Sequence, residues 1–232
     1  MIAVIGDIHA NLEALATVLE DIHRQGASEI YCVGDVIGYG PNPCDCLDLV
    51  MESCKVAILG NHDEAAVVDP RGFNPAAMRA VQWTREQLDR RLDGRQARWE
   101  FLCEIPRSYD DEDFLFVHGS PREPTHEYVF PEDIYNQRKM NQILNRIRKY
   151  CVMGHTHLPG IFTADHQFIP PQDCGYQYRL ENEKALINVG SVGQPRDGDE
   201  RACYVLLDGY DVTFRRVEYD VDTTRRKLSD LW

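Results

Sequence analysis

The chain of 232 residues is predicted to adopt an α/β fold, and three observations carry this prediction. Five short apolar runs each end on a glycine beside a polar residue: "IAVIGDIH", "IYCVGD", "VAILGNHD", "FLFVHGS" and "YCVMGHTH". Continuous apolar runs of this length are typical of strands that are buried on both faces. Helical patterns separate the first three runs, and strand–helix–strand alternation implies parallel pairing. No internal repeat, low-complexity tract or linker interrupts the sequence, so residues 1–232 are predicted to form one domain.

The individual elements are predicted from periodicity and from capping residues. The stretch "NLEALATVLEDIHRQG" has apolar residues at helical spacing, with Asn11 as the N-cap and Gly26 as the stop. A second helix is predicted over "PCDCLDLVMESC" and a third over residues 75–88. Farther along, "ALINVGSVG" and "CYVLLDGYDVTFRRVEY" are predicted to be antiparallel strands with a hairpin at Gly209, which makes the sheet system mixed. Residues 120–149 are predicted to be an excursion over the edge of the site or a short helical cap.

The composition excludes several classes of protein. Hydrophobic residues make up 43% and charged residues 27%, as in ordinary globular proteins, so disorder is not expected. No apolar run approaches the ~18 residues that span a bilayer, and the N-terminus lacks a secretion signal, so a cytoplasmic protein without a membrane partner is expected. A net charge of −13 argues against an extended nucleic-acid surface. An anionic substrate is still possible, because bound cations reverse the charge locally.

The cysteines do not form a disulfide or zinc pattern. None of the eight belongs to a CxxC pair, which is typical of proteins from a reducing compartment. Cys44, Cys46 and Cys54 lie close together, but a single intervening residue is the wrong spacing for a zinc knuckle. We therefore interpret them as reduced thiols on a helix.

Side chains that suit metal binding are concentrated at the predicted strand ends. Five of the eight histidines lie there with two aspartates and an asparagine: His9, His62, His118, His155, His157, Asp7, Asp35 and Asn61. The other three, His23, His126 and His166, are interpreted as solvated or locally bonded. In an α/β sheet such residues collect at the carboxyl edge, where ligands bind. Imidazole nitrogens with carboxylate and amide oxygens suit Mn, Fe, Zn, Co or Ni rather than calcium.

The number and spacing of these residues predict two metal ions rather than one. Side chains two apart in an extended chain point the same way, so Asp7 with His9, and His155 with His157, can face one cavity. The set exceeds the needs of one ion with open positions, whereas two ions that share a carboxylate fit it. Two divalent ions ~3.5–4 Å apart hold a bridging hydroxide and neutralise the oxygens of a phosphate under in-line attack. Such a centre remains positive inside an acidic protein.

The ordered motifs "GDIH", "GD", "GNHD", "VHGS" and "GHTH" span residues 6–157 and resemble those of the calcineurin-like metallophosphoesterase superfamily. The chain length and the phrases "GDVIGYGPNP", "HGSPRE" and "NVGSVGQPRDGD" resemble its compact prokaryotic phosphodiesterase branch. Each motif alone is weak, but five in order are specific. The resemblance implies a four-layer αββα sandwich of two mixed β-sheets flanked by helices, with the site at the carboxyl edge.

The resemblance also implies a role for each matching residue. One metal would be held by Asp7, His9, Asp35 and His157, and the other by Asp35, Asn61, His118 and His155. Asp35 would bridge the two ions. His62 would contact phosphate and protonate the leaving oxygen, a general-acid role worth ~10²–10⁴ in rate. Asp63 is interpreted as a cap on the following turn rather than as a catalytic residue.

Two positions depart from the phosphatases of this superfamily. Phosphoprotein phosphatases and the related bacterial dinucleoside tetraphosphatases carry a phosphate-binding arginine where this chain has Tyr39. Phosphoprotein phosphatases also place an aspartate that orients the catalytic histidine where this chain has Gly38. Both differences weaken a phosphoprotein phosphatase assignment, and the residue that orients His62 remains unidentified.

Substitute substrate contacts are predicted near the glycine-rich loops. Arg122 in "HGSPRE" and Arg196 in "GQPRDGD" are candidates for binding phosphate, with surface salt bridges as the alternative for each. Tyr39 and Asn42 are candidates for lining the substrate entrance.

The sequence therefore predicts a binuclear metal-dependent phosphoesterase that hydrolyses small phosphodiesters or related phosphate esters. The alternative on the same site is a phosphoprotein or dinucleoside polyphosphate phosphatase. A non-catalytic scaffold is disfavoured because every expected metal ligand is present. A dinucleotide-binding oxidoreductase would need GxGxxG after the first strand, which "IGDIHAN" does not supply. The physiological substrate, the metal and the oligomeric state are left open.

Overall fold

The computed structural model describes residues 1–68, 70 and 73–231, in which the strands form two six-stranded sheets. The strands are β1 Ile2–Ile5, β2 Glu29–Cys32, β3 Val56–Ala57, β4 Ser108–Asp111, β5 Phe114–Val117, β6 Tyr150–Met153, β7 Gly160–Thr163, β8 Phe168–Ile169, β9 Gln177–Arg179, β10 Ala185–Asn188, β11 Ala202–Asp208 and β12 Asp211–Val217. The helices are α1 Leu12–Gln25, α2 Pro43–Ser53, α3 Asn61–Val67, α4 Pro75–Arg90, α5 Arg95–Glu104, α6 Gln137–Leu144 and α7 Val221–Ser229. Short 3-10 helices cover Pro131–Tyr135 and Pro171–Cys174.

Both sheets are mixed, as predicted. The first has the order β3-β2-β1-β11-β12-β9, in which β1, β2 and β3 are parallel and the other pairings are antiparallel. The second has the order β4-β5-β6-β10-β7-β8, in which β5, β6 and β10 are parallel. The parallel strands of each sheet end at one edge, and the predicted metal ligands follow those ends.

Three apolar clusters show how the layers pack. One lies between the first sheet and the helices α1 and α2, a second lies between the two sheets, and a third lies between the second sheet and α6. β1 contributes to two of them, because Ala3 and Ile5 face the helices while Val4 faces the other sheet. All three side chains are fully buried, which explains the uninterrupted apolar run at this strand. The predicted four-layer αββα sandwich is confirmed.

The predicted helices are present with small differences in their ends. Asn11 caps α1 by accepting a hydrogen bond from the N–H of Ala14 at 3.1 Å, and Gly26 ends it with φ +75°. The third predicted helix, residues 75–88, corresponds to α4. α3 was not predicted, because it begins at Asn61 itself, within a stretch that carries site residues.

The prediction for "ALINVGSVG" was partly wrong. The strand in this stretch, β10, pairs antiparallel with β7 but parallel with β6. β10 lies inside the second sheet between β6 and β7, so neither of its neighbours in the sheet is adjacent to it in the sequence. The hairpin between β11 and β12 is confirmed, with Gly209 in the left-handed region at φ +60°.

Neither a membrane helix nor a cysteine metal site is found among the described residues. No helix there is long and apolar enough to cross a membrane. Cys44 and Cys46 are buried on α2, as expected for reduced thiols, and no cysteine of the described chain joins a cluster with metal-binding spacing.

A buried hydrogen-bond network connects α1 to the first sheet and predicts a stability effect. The carboxylate of Asp21 accepts a hydrogen bond from the Tyr204 hydroxyl at 2.8 Å and others from Arg215 at 3.2 Å. Asp21→Ala would leave the fully buried Tyr204 hydroxyl without this acceptor, so we expect a loss of about 1–3 kcal/mol in the free energy of unfolding. Denaturant unfolding checks this, with Glu20→Ala on the exposed face of the same helix as the control. Equal stability of the two variants would contradict the prediction.

Candidate metal centre and active site

The eight side chains predicted from the strand ends come together at the common edge of the two sheets. Asp7 and His9 follow β1, Asp35 follows β2, Asn61 and His62 follow β3, His118 follows β5, and His155 and His157 follow β6. All are buried, with exposed fractions between 0% and 6%. Buried polar groups at this density need partners. Seven of the eight supply them to one another in two sets, and His62 lies beside His9 and Asp35.

The first set contains Asp7, His9 and His157. Nε2 of His9 lies 3.1 Å from Nε2 of His157, and Nε2 of His157 lies 3.2 Å from Oδ1 of Asp7. Nε2 of His9 is also 3.6 Å from Oδ2 of Asp35. These atoms are close enough to one another to surround a single cation.

The second set contains Asp35, Asn61, His118 and His155. Nε2 of His118 lies 3.0 Å from Nδ1 of His155, 3.1 Å from Oδ1 of Asn61 and 3.4 Å from Oδ2 of Asp35. The same carboxylate oxygen of Asp35 therefore lies beside both sets. Its position between them is the geometry expected of a ligand that bridges two ions.

Backbone carbonyls orient the four imidazole rings of these sets. Nδ1 of His9, His118 and His157 faces the carbonyls of Ile37, Val33 and Gln194, at 3.3, 2.9 and 2.6 Å respectively. Nε2 of His155 faces the carbonyl of His126 at 3.1 Å. One nitrogen of each ring is thus the donor to a carbonyl, and the other is turned toward the cluster. Backbone carbonyls orient metal-binding histidines in the same way.

The charge states of the site fit a bound cation. Burial and the nearby charge of His118 lower the pKa of His155 to about 3, which keeps its imidazole neutral. Burial opposes ionisation of Asp35, but His118 and His62 outweigh it and hold the pKa of this carboxyl well below its usual value. Burial opposes protonation of His118, but Asp35 outweighs it and raises the pKa of His118 to about 9. A cation in the second set would replace the proton that the carboxylate holds on His118.

The backbone at the strand ends is strained where it presents the predicted ligands. Asp7, His9, Asp35, His155 and His157 all have positive φ, between +47° and +69°. Each such residue costs about 1–3 kcal/mol, which the surrounding structure must offset. Hydrogen bonds from the N–H groups of Asp7 and His9 to the carbonyls of Gly34 and Asp35, at 2.9 and 3.0 Å, help to hold the two loops in this conformation.

Glycines precede the ligands because the loops are in close contact. A Cβ at Gly60 would lie 2.1 Å from the backbone nitrogen of Asp35, and a Cβ at Gly154 would lie 2.4 Å from Oδ2 of Asp7. The recurrent glycine of the motifs is therefore required by space at these two positions.

His62 is oriented by aromatic packing rather than by a carboxylate. Its ring lies 4.5 Å from that of Tyr39, 4.9 Å from Phe73 and 5.0 Å from His9, measured between centroids. Its backbone N–H donates to Oδ1 of Asp35 at 2.8 Å. A Cβ at Gly38 would lie 2.5 Å from Nδ1 of His62, so the glycine at this position leaves room for the ring. In the described part of the chain this buried Nδ1 has no hydrogen-bond partner.

Asp63 caps the helix that begins at the site, as the sequence predicted. Its carboxylate accepts hydrogen bonds from the N–H groups of Gly60, Val36 and Ile37, at 3.1, 3.3 and 3.1 Å. Burial and the nearby charge of Asp35 raise its pKa to about 7. Asp63 therefore joins the loop after β2 to the start of α3.

One of the four predicted substrate contacts lines the pocket beside the cluster, and a second lies next to that residue. Tyr39 lines this pocket, and Arg196 is exposed beside Tyr39. Burial raises the pKa of Tyr39, and the charge of Arg196 partly offsets that rise.

The other two predicted contacts are bonded elsewhere. Arg122 pairs with Glu127 and Gln142. The Asn42 side chain bonds to Asp45 and Lys227. These contacts favour a structural role for both side chains over a role in substrate binding.

Apart from Tyr39, Asn61, His62 and His155, the residues of the pocket wall were not predicted. The pocket has a volume of about 250 Å³ and is lined by Tyr39, Asn61, His62, Phe73, Asn74, Ala77, His126, Tyr128 and His155. Tyr128 stacks on the ring of His155 with centroids 3.7 Å apart, and His126 is bonded to Glu64. Both lie in the excursion of residues 120–149, whose run of aromatics was the available signal. The excursion does pass over the site edge.

A buried cluster of imidazoles and carboxylates at the carboxyl edge of two packed mixed sheets defines a metal-dependent phosphoesterase. The chain belongs to the calcineurin-like phosphoesterase superfamily, because the domain model of that superfamily matches residues 1–211.

Known proteins resemble the chain over almost its whole length. A metallophosphoesterase of Sphaerobacter thermophilus, solved by crystallography, is 35% identical, with 99% of this chain and 93% of that one covered and a TM-score of 0.84. An uncharacterized protein of Methanocaldococcus jannaschii is 34% identical over 240 residues, which cover 98% of this chain and 91% of that protein. A hypothetical protein of Pyrococcus horikoshii OT3, 20% identical with a TM-score of 0.73 and 100% and 94% coverage, shares the fold.

Proposed function

We propose that the protein is a binuclear phosphodiesterase that hydrolyses small phosphodiesters or related phosphate esters. The observation that carries the proposal is the position of Asp35 Oδ2, which lies 3.6 Å from His9 of the first set and 3.4 Å from His118 of the second. Asp7, His9, Asp35 and His157 would hold one ion, and Asp35, Asn61, His118 and His155 the other. The mixed nitrogen and oxygen donors suit Mn, Fe, Zn, Co or Ni.

The chain's own residues divide the work of hydrolysis. When bound, two divalent cations acidify a water molecule and neutralise the phosphate oxygens during in-line displacement. His62 lines the pocket next to the cluster, so its imidazole can donate the proton that the leaving oxygen needs. Tyr39, Phe73 and His9 hold this ring in place. Arg196, which is exposed beside Tyr39, would offer a charge to the part of the substrate that does not react.

The shape of the pocket favours small esters over phosphoproteins. A volume of about 250 Å³ is at the small end for ligand pockets, and aromatic rings form part of its wall. Tyr39 and Gly38 also replace the arginine and aspartate that are implied for phosphoprotein phosphatases. Since all eight site residues are in place, a scaffold without activity is disfavoured.

Metal removal tests the proposal. We expect the metal-free full chain to take up two equivalents of Mn²⁺, Fe²⁺, Zn²⁺, Co²⁺ or Ni²⁺ and to hydrolyse aryl or cyclic phosphodiesters. Chelation should lower that rate to below about 1% of the reconstituted value, since activation of water depends on the ions. Metal analysis and turnover of phosphomonoesters, phosphodiesters, dinucleoside polyphosphates and phosphopeptides are the measurements. Uptake of one equivalent, or turnover that resists chelation, would contradict the proposal.

A further inference from the structure

Asn11 lies at a junction between the loops that carry the first set of proposed metal ligands. Its side chain is 2% exposed and uses its full hydrogen-bonding capacity. Oδ1 accepts from the N–H of Ala14 and the hydroxyl of Thr224, both at 3.1 Å. Nδ2 donates to the carbonyl of Gly193 at 3.0 Å and to the hydroxyl of Tyr219 at 3.3 Å. The orientation of this amide is therefore determined by partners from three separate segments.

The loop that contains Gly193, a partner of Asn11, also contacts the ring of His157. The N–H of Gly193 donates to the carbonyl of Asp7 at 3.0 Å, and the next carbonyl, that of Gln194, accepts from Nδ1 of His157 at 2.6 Å. A Cβ at Gly193 would lie 1.7 Å from the carbonyl oxygen of Ile8, so the two loops are in direct contact. A shift of Asn11 would therefore move both loops.

The helix α7 supplies the partners on the other side. Thr224, which is 7% exposed, also places its hydroxyl 3.1 Å from Oε2 of Glu13. Lys227, one turn later, pairs with Glu13 and donates to Oδ1 of Asn42 at 2.9 Å. The backbone N–H of Asn42 donates in turn to the carbonyl of Ala10 at 3.0 Å. α7 thus connects the loop after β1 to the loop after β2.

We infer that Thr224 and Lys227 are positioning residues for the cation held by Asp7, His9 and His157. The inference rests on the proposed function. α7 lies beyond residues 1–211, the part of the chain that matches the family domain, so the family match assigns it no role. The contacts of Thr224 and Lys227 lead through Asn11, Glu13 and Asn42 to the loop that carries Asp7 and His9, whereas Asn61 and His118 of the second set follow β3 and β5. The two cations should therefore respond differently to changes in α7.

Titration of the metal-free full chain with Mn²⁺ tests the inference. Thr224→Val keeps the shape of the side chain but removes the hydroxyl, and Lys227→Met removes the ammonium from a side chain that is 35% exposed. We expect each variant to bind one of the two ions about 10-fold more weakly, the lower end of the effect of outer-shell partners, while the other ion binds as before. Thr224→Ser, which keeps the hydroxyl, should restore wild-type affinity.

The control is Arg226→Met, which removes a cation from the same helix at a residue whose contacts stay within α7. This variant should bind both ions as the wild type does. Unchanged affinities in Thr224→Val and Lys227→Met, or an equal loss for both ions, would overturn the inference and leave the proposed function standing. A wild-type chain that does not bind two ions would instead overturn the proposed function. Thermal unfolding of each metal-free variant measures any general loss of stability separately.

Discussion

Replacing Asp35 by asparagine is expected to lower turnover of a phosphodiester by about 10³-fold or more. Asparagine has the same shape, but it lacks the charge of a carboxylate that lies 3.6 Å from His9 and 3.4 Å from His118. The proposed bridge between two cations would be lost at the point where both sets of ligands meet. Steady-state kinetics and metal content per chain are the measurements.

The matched control for this variant is Asp222→Asn, which removes a carboxylate that is 89% exposed and pairs with Arg225 at 3.7 Å. We expect the control to keep full activity and two ions per chain. Circular dichroism should find both variants folded, since asparagine still accepts the hydrogen bond that the His62 N–H donates to Oδ1 of residue 35. Full turnover with Asp35→Asn would contradict the assignment of a bridging carboxylate.

The second large effect is expected for His62→Ala, and it should depend on the leaving group. Esters of alcohols with a high pKa need a proton on the departing oxygen, so we expect a loss of ~10²–10⁴ in kcat for alkyl leaving groups. Nitrophenolate leaves without protonation, and its esters should lose much less. A plot of log kcat against leaving-group pKa, compared between wild type and variant, measures the difference in slope.

His166→Ala is the control for His62→Ala, because this histidine bonds to Asn141 and does not line the pocket. The slope of log kcat against leaving-group pKa should be the same for His166→Ala as for the wild type. Equal losses with every leaving group in His62→Ala would remove the role of proton donor and leave His62 as a residue that binds substrate.

The two departures from the phosphatase pattern belong to one local arrangement. Gly38 leaves room for the ring of His62, and Tyr39 covers that ring at a centroid distance of 4.5 Å. Tyr39 itself adopts a left-handed conformation with φ +54°. In this chain the imidazole is thus oriented by rings on either side, and its pKa is lowered by burial. The residue types at positions 38 and 39 did not by themselves indicate that these residues orient His62.

Elements that depend on local chemistry were predicted well from the sequence. α1 has its capping and stop residues, Asn11 and Gly26, within the helix motif itself, α2 begins at Pro43, and β1, β2 and β3 are recognisable as apolar runs. The eight predicted side chains lie together because each follows such a run, and parallel strands end at the same edge of a sheet. Asp63 was interpreted correctly because a cap acts within three residues of its helix start.

Elements that depend on distant partners were not predictable in this way. The parallel pairing of β10 with β6 joins segments about 35 residues apart, and the contact of Tyr128 with His155 brings an excursion loop to the site. The structural contact of Asn42 could not be predicted either, because its partner Lys227 becomes a neighbour only on folding.

By itself, the sequence determined the fold class, the superfamily and the set of side chains that the site can use, since these follow from periodicity, capping and motif order. Only the tertiary structure decided which imidazole nitrogen faces the cluster, what orients His62 and how α7 joins the two loops. The physical reason is that these features consist of hydrogen bonds and ring contacts between distant segments. Such contacts have no periodicity in the sequence and depend on distances of a few ångströms.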